Sequence, residues 1–334
     1  MPDNPQTSTP PLGENDFFAI SPKLIRPWGK GRFTLFLKQG GSYVLYTRKG
    51  EAFTASHREK LDGLGINQVY VQSGERAGYT RYLIDNLKDI LDDEGISLEQ
   101  RSQAWHQASV ALTRKLFEER LPKGFSKRRF KEIVELLRSS VDFFAVKGAL
   151  KHLASLVAPG YKLYNHSLGV TVLTAFVLGT YEHADKALIT KCCAGAMLHD
   201  LGKSLLDDTV LDADPSQLTN GLLAAFRAHP SAGVGLCSSV PLEQETLNCI
   251  LFHHEHCDGS GFPSGLGGEA LPYYVRVLAV CNEYDGLTRA SGWRSALSPY
   301  EALYRIKSHK EAFDLDALKR LILVLSNAEI KISN

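Results

Sequence analysis

Beginning at Tyr79, YTRYLIDNLKDILDD is the first of a long series of stretches in which apolar residues recur three and four positions apart. That spacing puts them on one stripe of an α-helix and forbids the alternation a strand needs. RSQAWHQASVALTRKLFEERL and the long amphipathic segment 127–157 continue it. Helix-like blocks follow near 164–182, 185–204, 216–239, 241–254, 273–290, 298–309 and 313–325, and little in them reads as strand. The expected fold is therefore mainly α, with a C-terminal all-helical bundle of the kind that carries metal ligands on facing helices.

Ahead of this lies a different pattern. Residues 32–50, RFTLFLKQGGSYVLYTRKG, alternate apolar and polar around Gly40-Gly41, a hairpin signal. NQVYVQ at 67–72 adds a short strand, and ASHREKLDGLG at 55–65 reads as a helix stopped by glycine. This predicts a small α+β N-terminal module over 17–78, of accessory or sensory character, with Tyr43, Tyr46 and Tyr70 packing its strands. A helical linker over 79–157 and a helical domain over 158–330 follow. The polar, proline-rich residues 1–16 read as a disordered tail without the apolar core of a signal peptide.

Composition narrows the function classes. The formal charge of +1 over 334 residues gives no bias toward a nucleic acid polymer or an anionic membrane. VTVLTAFVLG at 170–179 is too short for a membrane span. The six cysteines all lie beyond residue 190 without a CxxC pair, so they read as reduced thiols and the expected location is cytoplasmic.

Chemistry concentrates in the histidines. Of eleven, His57, His106, His152, His183 and His309 are isolated and read as surface or satisfied core residues. His199 and Asp200 end the apolar helix GAMLHDLGK, and Lys203, four and three residues on, shares their side, where it can meet a phosphate oxygen. His253-His254-Glu255 ends another helix, His166 opens one in YNHSLGVTVL, and His229 sits in FRAHPSAG. His166, His199, Asp200, His229, His253 and His254 thus fall on four helical segments. Imidazoles plus a carboxylate, without ordered cysteines, suit a catalytic divalent site rather than structural zinc: iron or manganese first, zinc or nickel next. Five histidines and an aspartate exceed the need of one ion. Two divalent metal ions bridged by Asp200 use them more economically, and such a pair serves in-line phosphoryl displacement.

In order, these motifs resemble the HD-GYP branch of the HD phosphohydrolases: His166, HDLGK (199–203), HPSAG (229–233), HHEHCDGSGFP (253–263) and LAVCNEYDGLT (278–288). The resemblance implies an all-helical HD-GYP domain that hydrolyses the bacterial second messenger cyclic di-GMP to pGpG or GMP. It implies metal ligation by the six residues above and by Asn282. It implies substrate contacts from Lys203, Arg294 and the loop residues Asp258, Gly259, Gly261, Phe262 and Pro263. Asp200 and Lys203 would carry catalysis. Phe262 stands where the family has tyrosine, and Asn282 where it has a metal-binding aspartate, with Glu283 pointing elsewhere on the helix. Those departures keep a second function open, a cyclic di-GMP receptor or protein-interaction module with little turnover. The amphipathic linker leaves room for a homodimer or a signalling protein partner.

Overall fold

The computed structural model describes residues 16–27, 29, 31–118, 126–156 and 162–328. The tail expected over 1–16 falls, apart from Asp16, outside the described residues. The chain divides into two compact units, Met1–Ile90 and Leu91–Asn334. The segment read as a linker is shared between them, residues 79–90 going to the first unit and the rest to the second.

In the first unit, β1 (Phe17–Ile20), β2 (Leu35–Gln39), β3 (Ser42–Thr47) and β4 (Val69–Gln72) form an antiparallel sheet in the order β1-β4-β2-β3. The β2–β3 hairpin turns where Gly40 and Gly41 take positive φ, 54° and 83°, as its sequence required. Phe17 stacks on Tyr43 at 3.8 Å between ring centroids, and Tyr43 meets Tyr70 edge-on. Tyr46 donates to the His57 carbonyl. Helix α1 (Ala55–Gly63) begins at a reciprocal cap in which Thr54 accepts from the His57 N–H and the His57 ring accepts from the Thr54 N–H. Helix α2 (Arg76–Asp85) follows, and α3 (Leu87–Asp92) carries the chain across the unit boundary.

The second unit is helical: α4 (Leu98–Glu118), α5 (Lys127–Phe144), α6 (Ala149–Leu156), α7 (Leu163–Leu178), α8 (Lys186–Leu198), α9 (Asp208–Leu211), α10 (Asn220–Arg227), α11 (His229–Leu236), α12 (Gln244–Phe252), α13 (Tyr273–Leu287), α14 (Pro299–Ser308) and α15 (Leu315–Asn327). Helix α7 is its axle. Residues around its whole circumference are buried, and it packs against α4, α5, α6, α8, α13 and α15. Leu168, Val170, Val177 and Leu178 are fully enclosed.

Two expected single helices are each broken in two. The segment 127–157 parts after Phe144, where Gly148 at φ 86° turns the chain into α6. The block 216–239 parts at Ala228, because Pro230 at the start of α11 has no N–H to continue α10. The second break places His229 at the first position of a new helix, facing inward.

Candidate metal centre

The metal-ligand candidates converge at helix ends of the second unit, on α7, on α8, which packs against it, and on α11 and α12 beyond. His166 lies in the first turn of α7. His199 caps α8, and Asp200 precedes a turn of 3-10 helix over Leu201–Leu205 that carries Lys203. His229 opens α11, and His253 caps α12. The 3-10 turn can lie against α11 because residue 202 is glycine. A Cβ there would stand 1.9 Å from the His229 carbonyl oxygen.

Asp200 is the centre of the cluster and is wholly buried. Its two oxygens divide the histidines. Oδ2 faces His166 Nε2 at 3.6 Å and His199 Nε2 at 3.4 Å. Oδ1 faces His229 Nε2 at 3.3 Å and His253 Nε2 at 3.5 Å. Ligand atoms of Asp200, His229, His253 and His254 lie within 4.8 Å of one another, and so do those of His166, His199 and Asp200. Lys203 Nζ donates to Asp200 Oδ2 at 2.8 Å.

The outer nitrogens fix the proton on each ring. His199 Nδ1 reaches the Ala196 carbonyl at 2.7 Å, His229 Nδ1 that of Phe226 at 2.6 Å, and His253 Nδ1 that of Ile250 at 2.8 Å. A carbonyl only accepts, so in each ring Nδ1 carries the hydrogen and Nε2 points a lone pair at the centre. His166 Nδ1 does the same against Asp285 Oδ2 at 2.7 Å. Asp285 is gripped in turn by Arg289 Nε and by Nη2 at 3.0 Å.

This arrangement is frustrated without a cation. His229 Nε2 and His253 Nε2 are 3.1 Å apart, both as acceptors. His166 Nε2 meets Asn282 Oδ1 at 2.9 Å, again acceptor against acceptor, which an amide rotation or a shared cation relieves. Among the described residues, His199 Nε2, Asp200 Oδ1 and His254 Nε2 are buried with no hydrogen-bond partner. Orphaned lone pairs converging on one point fit divalent metal ions.

Electrostatics agree. Burial pushes the Asp200 carboxyl up, but His199, Lys203 and His229 outweigh it and hold it well below the usual range. Burial lowers His166, His229 and His254, and brings His253 down to about 3, so all four are neutral and ready to ligate near pH 7.

The glycine-rich loop packs tightly on the chain itself. Its close approach is to protein. A Cβ at Gly261 would fall 2.4 Å from the His254 carbonyl and 2.5 Å from Glu255 Cα. Asp258 is exposed and accepts from Ser260 N–H and Oγ, so its carboxylate serves the loop's own turn, in which Gly259 takes φ 76°. Phe262 stacks on His254 at 4.5 Å and walls the cluster, and the Phe262–Pro263 bond is cis. Arg294 is also committed: Nη1 donates to the Leu287 and Ser295 carbonyls and Nη2 to that of Gly286.

Two supporting side chains and a pocket complete the surroundings. Glu255, only 1% exposed, accepts the N–H groups of Ser264, Gly265 and Leu266 and anchors the loop. Arg289 fixes Asp285, a pairing visible only as an i,i+4 spacing. A pocket of about 200 Å³ opens beside Lys203, bordered by Phe226, Glu283, Trp293, Arg294 and Arg305.

Residues 162–317 match the HD domain family. This segment is an HD domain. Cyclic di-GMP phosphodiesterase PA4108 of Pseudomonas aeruginosa is 26% identical over 219 residues, which are 65% of this chain and 51% of that protein. The response regulator RpfG of Xanthomonas campestris, also a cyclic di-GMP phosphodiesterase, is 28% identical over 67% of this chain and 56% of its own length. The chain thus spans about half the length of these curated relatives. The solved structure of Bd1817, a HDG"Y"P protein from Bdellovibrio bacteriovorus, matches 93% of this chain and 100% of that one, with a TM-score of 0.63 at 20% identity, a likeness of fold. No helix among the described residues is long and apolar enough to cross a membrane.

Proposed function

We propose that the chain is a metal-dependent phosphodiesterase that hydrolyses cyclic di-GMP to pGpG or GMP. The observation that carries this reading is Asp200, whose two oxygens each face a separate pair of histidine lone pairs. Residues His166, His199 and Asp200 would hold one divalent ion, and Asp200, His229, His253 and His254 a second. Asn282 completes the first set through its amide oxygen. Iron or manganese would fill the pair, with zinc or nickel next: the imidazoles suit iron, zinc and nickel, and the Asp200 and Asn282 oxygens suit manganese. When bound, such a pair supplies Lewis acidity and an activated water for displacement at phosphorus.

The chain's own groups do the rest. Lys203, 6% exposed beside Asp200, sets a positive charge where a phosphate would lie and neutralises negative charge building on it. Phe226 and Phe262 wall the cluster and reduce the water around it. Glu255 holds Phe262 in place through the loop.

A second reading, a cyclic di-GMP receptor with little turnover, is favoured by one observation. Asn282 brings no charge to His166, so the first ion would be held more weakly than by an aspartate. Metal content of anaerobically purified protein, together with cyclic di-GMP turnover in iron or manganese, separates the two. Two ions per chain with turnover lost in Asp200→Ala supports the enzyme. Nucleotide binding without turnover, at one ion or none, supports the receptor.

A further inference from the structure

We propose that Glu283 and Arg305 make the pocket beside Lys203 a reader of guanine, giving the site its preference among cyclic dinucleotides. This rests on the phosphodiesterase reading for its substrate class. Glu283 follows Asn282 on α13 but faces away from the metal cluster, into a space that Arg305 enters from α14. Among the described residues, neither side chain makes a hydrogen bond or an ion pair within 4 Å. The other charged groups of the pocket are already engaged, Lys203 on Asp200 and the Nη atoms of Arg294 on carbonyls. Two opposite charges therefore border one cavity without closing on each other.

The shape suits one base. A volume of about 200 Å³ is below the roughly 300–1,000 Å³ of a pocket that takes a whole ligand. Trp293, 42% exposed, and Phe226 offer aromatic faces for a planar ring. Guanine presents adjacent N1–H and N2–H donors, which a carboxylate fork accepts, and O6 and N7 acceptors, which a guanidinium serves. Adenine has an acceptor at N1 and a donor at N6, and so opposes lone pair to lone pair at Glu283. Because Lys203 borders both the pocket and Asp200, a base seated here carries its own phosphate toward the metal cluster.

The test is the ratio of affinities for cyclic di-GMP and cyclic di-AMP, measured by calorimetry on the full chain loaded with manganese, with turnover followed in parallel. The wild type should favour cyclic di-GMP, and Glu283→Gln should lower that ratio roughly 10- to 100-fold. A merely structural role would weaken both ligands alike and leave the ratio unmoved, and that result overturns the proposal. Should Glu283→Gln fail to fold, Arg305→Gln probes the same wall and should lower the same ratio. A guanine preference without turnover removes the enzyme reading and leaves this one standing. Turnover of both nucleotides at equal efficiency does the reverse.

Discussion

Replacing Asp285 with asparagine should damage stability and metal affinity together, although Asp285 is not placed in the ligand set. Asp285, His166 and Arg289 are 6%, 3% and 6% exposed. The carboxylate takes two bonds from Arg289 and one from His166 Nδ1. An amide has one oxygen, so it serves either the ring or the guanidinium and turns an N–H on the other. Taking the counter-carboxylate from the buried Arg289 charge, which keeps the Asn165 carbonyl at Nη2, costs up to about 3–5 kcal/mol. Losing the acceptor that fixes the His166 ring costs roughly 10- to 100-fold in affinity for the ion it would hold. Urea denaturation of the metal-free protein reads the first effect, and competition with a chromogenic chelator reads the second. Removing the cation as well should help: Asp285→Asn combined with Arg289→Met should regain at least about 1 kcal/mol over Asp285→Asn alone. An Asp285→Asn protein within about 0.5 kcal/mol of wild type, titrating metal with unchanged affinity, would refute the reasoning.

Three other perturbations follow from the same geometry. Glu255→Ala removes the acceptor of three loop N–H groups. Because water can reach part of that loop, a loss of roughly 2–4 kcal/mol is expected rather than the full sum, with faster proteolysis between 256 and 266 as the readout. Gly202→Ala drives a Cβ into the His229 carbonyl and to 2.8 Å from Gly233 N. Backbone cannot yield as a side chain does, so the cost should exceed the ~1–3 kcal/mol of ordinary overpacking, and equilibrium denaturation measures it. The pH dependence comes from the histidines. Burial depresses His166, His229, His253 and His254 in the folded chain, so the unfolded chain binds protons first as pH falls through about 6.5. Metal-free protein should therefore lose stability progressively from about pH 6.5 downward. Urea midpoints that stay level between pH 7.5 and 5 would contradict this.

How much of this was legible in the sequence depends on whether the cause was local. The hairpin at Gly40-Gly41, the helices from residue 79 and the six ligand candidates rest on spacing that a few neighbouring residues fix, and the structure brings the side chains of those six candidates into one cluster. The long helices failed where a single residue overrode the periodicity, Gly148 in one and Pro230 in the other. In the first block apolar residues on both sides of the break are buried, whereas in the second α10 buries none of its own and only α11 reaches the core.

Two side chains carry bonds that their residue type does not announce. Asp258 and Arg294 have the chemistry to meet a nucleotide, but nearby backbone claims them first: the Ser260 turn for one, the last carbonyls of α13 for the other. Residue type states what a side chain can bind, and only packing states what has already bound it. The converse holds at Glu283 and Arg305, more than twenty residues apart and unremarkable in sequence. The packing of α13 on α14 leaves both charges facing one cavity. Most of the metal-ligand candidates here sit at helix ends within short local patterns and so leave a motif, whereas the groups that would choose the substrate need only line the same wall.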